Sequence, residues 1–316
     1  MTTSFGKVAV LMGGPSAERD VSLKSGRAVM EALQRRDIDA QAIDAGHDIL
    51  NVLDQGDYAR AFIVLHGRWG EDGVIQGALE VIDVPYSGSG VLASALGMDK
   101  LRSKYVWSSA GIPTPPFVLM ASNTRAEEVV DQLGLPLFVK PVREGSSLGM
   151  SKVTKAAELG VAYAKAARYD DAVIAERAIV GPELTVAVLQ GDALPVIRIE
   201  TPRSFYDYEA KYLLDSTRYH CPAGLNARTE QRMRSLALDA FNAIGAYGWG
   251  RVDIMLDDQG EPYVLEVNTV PGMTDHSLVP KAARQAGIEF DELVVRILET
   301  SFRDRTQERG VAHVAR

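Results

Sequence analysis

Four polar residues recur at a spacing of two near the C-terminal end: Arg251 and Asp253, then Glu266 and Asn268. Val252, Ile254 and Leu256 alternate with Arg251, Asp253 and Met255. After Asp257-Asp258-Gln259-Gly260-Glu261, Tyr263, Leu265 and Val267 alternate with Val264, Glu266 and Asn268. Two alternating runs around a glycine-containing turn read as a β-hairpin. With Gln259-Gly260 as a two-residue turn, Asp253 lies opposite Glu266 and Arg251 opposite Asn268. The apolar side chains then share one face and the polar ones the other. A one-residue slip would bury the charges, so the pattern pins the register. Asp, Glu and Asn form an all-oxygen set, which suits Mg²⁺ when phosphates and water complete the shell. The same pattern also describes a solvated strand face whose charges pair with one another.

A second candidate is the loop Gly145-Ser146-Ser147-Leu148-Gly149, which follows a strand-like run ending in Lys140-Pro141. Small residues let backbone N–H groups close around phosphate oxygens, and a nearby lysine adds charge. No Gly-Lys-Ser/Thr ends this loop and no G-x-G-x-x-G follows a strand, so it is neither a Walker A loop nor a dinucleotide fingerprint. Alone, such a loop is more often a plain surface turn; Lys140 before it and the acidic face after it give it weight. Glu18 starts the first helix, where an acid complements the helix dipole and a carboxylate could also hold an ammonium group. His66 lies beyond a strand end and is either a satisfied loop histidine or a contact for phosphate or carboxylate. Tyr206, Tyr208, Lys211, Tyr212 and Tyr219 crowd residues 201–223, a stretch with no helix or strand signal. Loops of that length are usually functional. The aromatic residues either anchor the loop or make it a lid that excludes water from a reactive intermediate.

The elements that must position these residues follow from periodicity. Residues 7–12 and 61–65 read as buried strands, with a helix over 16–36 between them and another through Leu79 after the His66 loop. This βαβ rhythm predicts a parallel sheet with helices on both faces. The Gly13 and His66 loops then lie beyond the carboxyl ends of strands, where sites in such sheets occur. Residues 99–109 read as a helix, and 111–116 (Gly-Ile-Pro-Thr-Pro-Pro) as a stiff connector at a domain boundary. A small α+β unit follows: strands at 117–120, 137–141, 151–153 and 172–176, with helices at 125–133 and 156–167. Strands at 184–189 and 194–200, a helix over 228–244, the hairpin, and helices near 278–285 and 291–302 complete the chain. Residues 304–316 read as a polar tail.

Composition narrows the function classes. The 316 residues are 46% hydrophobic and 24% charged, ordinary for a globular chain of two or three domains. The single cysteine, Cys221, excludes an intrachain disulfide and a cysteine-built metal site, and suits a cytoplasmic, reducing location. No apolar run approaches membrane-spanning length. The N-terminal apolar stretch runs into Gly13-Gly14-Pro15, unlike a secretory signal. A net charge of −8 argues against non-specific nucleic-acid binding.

Several segments together resemble the D-alanine–D-alanine ligase family of the ATP-grasp superfamily: GGPSAERDVSLKSG (13–26), HGRWGEDGVIQG (66–77), MDK (98–100), KPVREGSSLGMSKV (140–153), FYDYEAKY (205–212), GWGRVDIM (248–255) and LEVNTVPGMTDHSLVP (265–280). The match covers about residues 5–303. The resemblance implies an N-terminal α/β domain (1–97) holding the first D-alanine, then a two-part ATP-grasp fold. Its central part would be 98–182 and its C-terminal part 183–303, with a lid at 201–219. It implies that ATP phosphorylates the carboxylate of one D-alanine and that the amine of a second attacks the acyl phosphate, a step in peptidoglycan precursor synthesis. Carried over by motif, Lys100, Lys140, Glu176, Ile179, Glu183 and Lys211 would bind ATP. Asp253, Glu266 and Asn268 would hold two Mg²⁺ or Mn²⁺ ions. Glu18 would orient the first D-alanine and form a triad with Ser146 and Tyr212. Arg251 and the Gly272 N–H would stabilise the oxyanion, with His66, Ser277 and Leu278 binding substrate. The resemblance also implies a homodimer. Two rivals stay open: an ATP-grasp ligase with another acceptor, such as D-lactate or an L-amino acid, and a nucleotide-binding regulator without turnover. Tyr212 points to the dipeptide, and the complete ligand set with Arg251 points to an enzyme.

Overall fold

A computed structural model describes residues 4–201, 217–274 and 276–303. Most of the expected lid, including Tyr206, Tyr208, Lys211 and Tyr212, and the tail 304–316 lie outside the described residues.

The N-terminal sheet is parallel, as expected. β1 (Val8–Met12) lies between β2 (Ala40–Asp44) and β3 (Arg60–Ile63). All five residues of β1 are buried, as a strand covered on both faces requires. α1 (Arg19–Arg35) crosses it closely: a Cβ on Gly26 would lie 2.6 Å from Met12 Cβ. Buried Ser22 on α1 accepts from the Gly13 N–H at 2.9 Å and donates to the Val64 carbonyl at 2.6 Å, which fastens the helix to two strand ends. β2 and α2 (Ile49–Gln55) gave no sequence signal, because only Ile43 of β2 is buried and no alternation marks it. α3 (Val74–Val81) follows the His66 loop, and α4 (Val91–Met98) leads into α5 (Lys100–Ser109). The Asp99 side chain caps α5 by accepting from the Arg102 N–H at 2.9 Å.

Next come β4 (Phe117–Met120), α6 (Ala126–Leu133), β5 (Leu137–Pro141), β6 (Ser151–Val153), α7 (Leu159–Ala166) and β7 (Val173–Arg177). The strands form an antiparallel sheet in the order β4-β7-β5-β6. Val129, Leu133, Val139, Leu159 and Ala162 share its core with Ala175. The helix expected over 156–167 starts as a 3₁₀ turn, Ala156–Glu158, where the Glu158 carboxylate accepts from the Thr154 and Lys155 N–H groups.

The third sheet has six strands: β8 (Glu183–Leu189), β9 (Asp192–Ala193), β10 (Ile197–Glu200), β11 (Arg218–His220), β12 (Trp249–Leu256) and β13 (Pro262–Asn268). Its order is β11-β10-β8-β12-β13, with β9 on β8. β10 begins later than expected because Pro195 has no N–H for the ladder. β11 lies within the stretch read as featureless; three polar and aromatic residues at a sheet edge carry no apolar alternation. α8 (Ala227–Ala243) packs on this sheet through Met233, Ala237, Ala240 and Phe241.

The hairpin corrects one expectation and keeps another. Arg251 pairs with Asn268 and Asp253 with Glu266, as expected. The turn, however, is longer than two residues: Leu256 pairs with Pro262, the Asp257 N–H donates to the Glu261 carbonyl at 2.9 Å, and Gly260 takes φ +81°. A register shift between Asp253 and Ile254 absorbs the difference. Consequently Val264, not Tyr263 or Leu265, enters the core beside Ile254.

α9 (Leu278–Gln285) and α10 (Phe290–Glu299) return to the N-terminal sheet. Val279, Ala283, Leu293, Val294, Ile297 and Leu298 belong to the same core as Val8, Val10, Leu33 and Phe62.

Candidate active site

Two adjoining cavities gather the sequence-derived candidates. The first, about 500 Å³, is lined by Lys100, Lys140, Glu176, Ile179, Glu183, Asp253 and Glu266. The second, about 1070 Å³, is lined by Glu18, His66, Ser146, Arg251, Glu266, Asn268, Gly272, Ser277 and Leu278. Lys100 and Glu266 line both, so the cavities meet there. Lys211 and Tyr212 are outside the described residues.

At the floor of the first cavity, Lys140 on β5 donates to Glu176 Oε1 on β7 at 2.8 Å. Glu176 is 3% exposed. Burial alone would raise its pKa, but Lys104 and Lys140 hold the carboxyl below the usual range, so it is an anion. Residues 176–183 run along the wall, and Glu183 opens β8.

The polar face of the hairpin forms the partition. Arg251 makes a two-pronged ion pair with Asp253, Nε to Oδ1 and Nη2 to Oδ2, both at 2.8 Å. Thr185 on β8 donates to Asp253 Oδ1 at 2.6 Å. Lys100 Nζ sits 3.3 Å from Glu266 Oε2 and donates to the Glu144 carbonyl at 2.7 Å. Asn268 Oδ1 accepts from the Val270 N–H at 3.1 Å. Two carboxylates and one amide oxygen face each other here, and the protein's own cations neutralise the carboxylates. Among the described residues no three His, Cys, Asp or Glu side chains cluster for a metal. Asp, Glu and Asn oxygens are nonetheless the donor types that a hard divalent cation takes together with phosphate and water.

In the second cavity, Glu18 occupies the N-cap position just before α1, and the Ser146 hydroxyl donates to its Oε1. Glu18 N–H is held by Ser16 Oγ at 3.2 Å, and Ser16 donates to the His66 carbonyl at 2.7 Å. The Gly/Ser loop reaches this point through two left-handed residues, Ser146 (φ 51°) and Ser147 (φ 60°), a conformation that costs energy in a non-glycine residue and concentrates at functional sites. Gly67 lies so close that a Cβ on it would stand 2.9 Å from Glu18 Oε2.

His66 is occupied on both ring nitrogens, Nδ1 with the Val270 carbonyl at 2.9 Å and Nε2 with Ser25 Oγ at 3.3 Å. Burial lowers its pKa, so the imidazole is neutral near pH 7. Burial, with Glu18 nearby, raises Glu71 well above the usual carboxylate range, while the Gly67 N–H at 2.9 Å opposes the shift. Glu71 stands in the His66 loop but is not distinguishable by sequence from its polar neighbours. Ser277 precedes α9, and its Oγ accepts from the Thr274 N–H at 3.0 Å. A helix N-terminus favours a carboxylate, and Gly272 lines the same cavity, packed so close to Ser277 that a Cβ there would stand 2.9 Å from its Oγ. Buried Lys104, which contacts Glu176, and Thr185 also escaped sequence reasoning; each is a lone residue whose role depends on a partner on another element.

Similarity to known proteins follows the same motifs. The family model described as "D-ala D-ala ligase C-terminus" matches residues 106–299, and "D-ala D-ala ligase N-terminus" matches residues 50–89. The chain is 60% identical over 300 residues to a D-alanine–D-alanine ligase of Alkalilimnicola ehrlichii, covering 95% of this chain and 96% of that one. It is similar in structure to the D-alanine–D-alanine ligase of Bacillus anthracis, with a TM-score of 0.85, 36% identity and coverage of 96% and 99%. It is also similar to the VanG D-Ala:D-Ser ligase of Enterococcus faecalis, with a TM-score of 0.80, 33% identity and coverage of 94% and 99%.

Proposed function

The chain belongs to the D-alanine–D-alanine ligase family of the ATP-grasp superfamily, and on that premise we propose how its two cavities divide the reaction. It is an ATP-dependent ligase that joins two D-alanines for peptidoglycan synthesis. The observation that carries the division of labour is that a cavity walled by Lys140, Glu176, Ile179 and Glu183 opens onto one walled by Glu18, Arg251 and Ser277, with Lys100 and Glu266 at the junction.

ATP binds in the first cavity, its base and ribose along 176–183 and its phosphates toward Lys100 and Lys140, with Lys211 joining them. Asp253, Glu266 and Asn268 are the residues that would hold two Mg²⁺ or Mn²⁺ ions, and these would supply charge neutralisation to the transferring phosphoryl group. Glu18 holds the ammonium of the first D-alanine, with Ser146 and Tyr212 completing a hydrogen-bonded triad to the lid at 201–219. The carboxylate of that D-alanine attacks the γ-phosphorus, and ADP leaves. Ser277 and Leu278 at the start of α9 receive the carboxylate of the second D-alanine. Its amine sheds a proton and attacks the acyl phosphate carbon; Arg251 and the Gly272 N–H face the oxyanion, and phosphate departs. His66, neutral and anchored on Val270 and Ser25, shapes the substrate end as a hydrogen-bonding wall.

The partition into 1–97, 98–182 and 183–303 belongs to the same proposal and is supported by one sheet falling within each part. So do a cytoplasmic location and a homodimer, the latter to be checked by sedimentation. No described helix is long and apolar enough to cross a membrane. The D-Ala:D-Ser ligase among the similar structures gives a second acceptor a specific basis. Phosphate release from ATP, measured in parallel with D-alanine alone and with D-alanine plus D-serine, D-lactate or L-alanine, tests the reading. Dominant D-alanyl-D-alanine is expected; ATP turnover indifferent to D-alanine would overturn it.

A further inference from the structure

Behind the floor of the nucleotide cavity lies a buried ion cluster with more positive than negative charge. Lys104 on α5 is 0% exposed, and its Nζ lies 2.5 Å from Glu176 Oε2. Lys140 takes the other oxygen of the same carboxylate. Lys140 and Glu176 line the cavity, whereas Lys104 does not reach it. One carboxylate thus serves two ammonium groups, only one of which can meet a ligand.

Lys104 is held from three sides. It donates to Thr114 Oγ1 at 2.7 Å, and its Nζ lies 5.4 Å from the centre of the Phe117 ring. Thr114 in turn donates to the Val264 carbonyl on β13 at 2.8 Å, and the Val264 N–H donates to the Pro113 carbonyl at 2.8 Å. Its carrier helix is tied to α8 by Trp107 Nε1, which donates to the Ala240 carbonyl at 3.0 Å. The lysine therefore has a fixed seat that spans the second and third sheets.

We propose that Lys104 is a positioning residue for the nucleotide: it keeps Glu176 paired, and so frees Lys140 to turn toward the triphosphate. The argument is electrostatic. A buried carboxylate stripped of its only cation is strongly unfavourable. With a single lysine, every contact between Lys140 and phosphate would strand Glu176. With Lys104 behind it, Glu176 stays compensated whichever way Lys140 points, and the surplus positive charge faces the anionic ligand. Burial pulls the Lys104 ammonium down to about 8; Glu176 raises it, while Lys140 on β5 and Lys100 on its own helix lower it. The cluster thus holds its surplus charge at neutral pH.

This inference rests on the proposed ATP site, and the test separates the two. Magnesium tripolyphosphate, which has no base or ribose, reports on the phosphate contacts alone. Its affinity and that of ATP are measured by calorimetry for the wild type, Lys104→Met, Glu176→Gln and the double variant. Lys104→Met should lose tenfold or more in tripolyphosphate affinity, because Lys140 is then committed to Glu176. The double variant should return to within threefold of the wild type, because no carboxylate remains to hold Lys140. A merely structural lysine would show no such rescue. Lys104→Met binding within threefold of wild type, or a double variant no tighter than Lys104→Met, overturns the inference. Should Lys104→Met not fold, Glu176→Gln alone decides: it should bind tripolyphosphate more tightly than the wild type, and equal or weaker binding overturns the inference. A wild type that binds no ATP would instead remove the nucleotide site itself.

Discussion

Thr185→Val separates the orientation of Asp253 from its charge. Thr185 is 1% exposed and pairs directly with Asp253 across β8 and β12. Its hydroxyl donates to Oδ1 at 2.6 Å, and valine replaces that hydroxyl with a methyl group of similar size. A hydrogen bond to a charged group contributes about 1.5–3 kcal/mol. At about 1.4 kcal/mol per factor of ten, that is roughly tenfold to a hundredfold in an equilibrium, the range typical for partners that orient metal ligands. Arg251 still holds both carboxylate oxygens at 2.8 Å, so the low end applies. The Mg²⁺ concentration for half-maximal turnover should rise about tenfold, with turnover recovered at saturating Mg²⁺. Thr185→Ser should behave as the wild type. The assay is steady-state phosphate release across a Mg²⁺ titration at fixed ATP. An unchanged Mg²⁺ dependence, or a loss of turnover that added Mg²⁺ does not restore, would refute the argument.

Three other outcomes follow from the same arrangement. Glu266→Gln, which removes the charge facing Lys100 at 3.3 Å, should nearly abolish turnover while circular dichroism stays native; full activity at ordinary Mg²⁺ would exclude Glu266 as a ligand. Tyr212→Phe should lower dipeptide synthesis by up to about tenfold and raise D-alanyl-D-lactate formation most at low pH, read from mixed acceptors over a range bracketing an amine pKa of about 8; an unchanged product ratio would remove Tyr212 from acceptor choice. Burial would raise the Asp170 carboxyl, but the Arg143 guanidinium and the Ala172 and Arg143 N–H groups hold it well below the usual range. Its stabilisation is therefore complete above the unfolded pKa of about 4, declines below it and is lost only as pH falls through the much lower folded value, so the melting-temperature gap between wild type and Asp170→Asn should narrow on acidification from pH 7 to pH 3; a constant gap would refute it.

The limits of sequence reading lie at particular residues. β1 and the helix at 278–285 were legible because burial on both faces, or a clear amphipathic stripe, leaves a periodic trace. β2 and β11 were not, since exposed edge strands bury too little to show alternation. The hairpin is the instructive case. A turn read as too short and a bulge not read at all cancel, so Arg251, Asp253, Glu266 and Asn268 share their expected face although Tyr263 and Val264 exchange theirs. Long motifs carried the candidate site, but Thr185, Lys104 and Glu71 did not stand out. Each acquires its meaning from a partner brought close only by the fold.

The core shared by both ends of the chain sets a timetable for synthesis. The N-terminal sheet emerges from the ribosome first, yet Val279, Ala283, Leu293 and Ile297 of α9 and α10 belong to its core. Roughly 180 residues separate the end of that first unit from α9, which at about 5–20 residues per second is roughly ten to forty seconds of translation. Throughout that interval part of the apolar surface of the sheet has no cover. Ser25 also waits, for the Met273 N–H that donates to it at 3.1 Å across 248 positions of sequence. The substrate end of the site therefore cannot close on a nascent chain. A truncation before residue 278 leaves an N-terminal unit with an open core, a target for chaperones and proteases rather than a smaller enzyme.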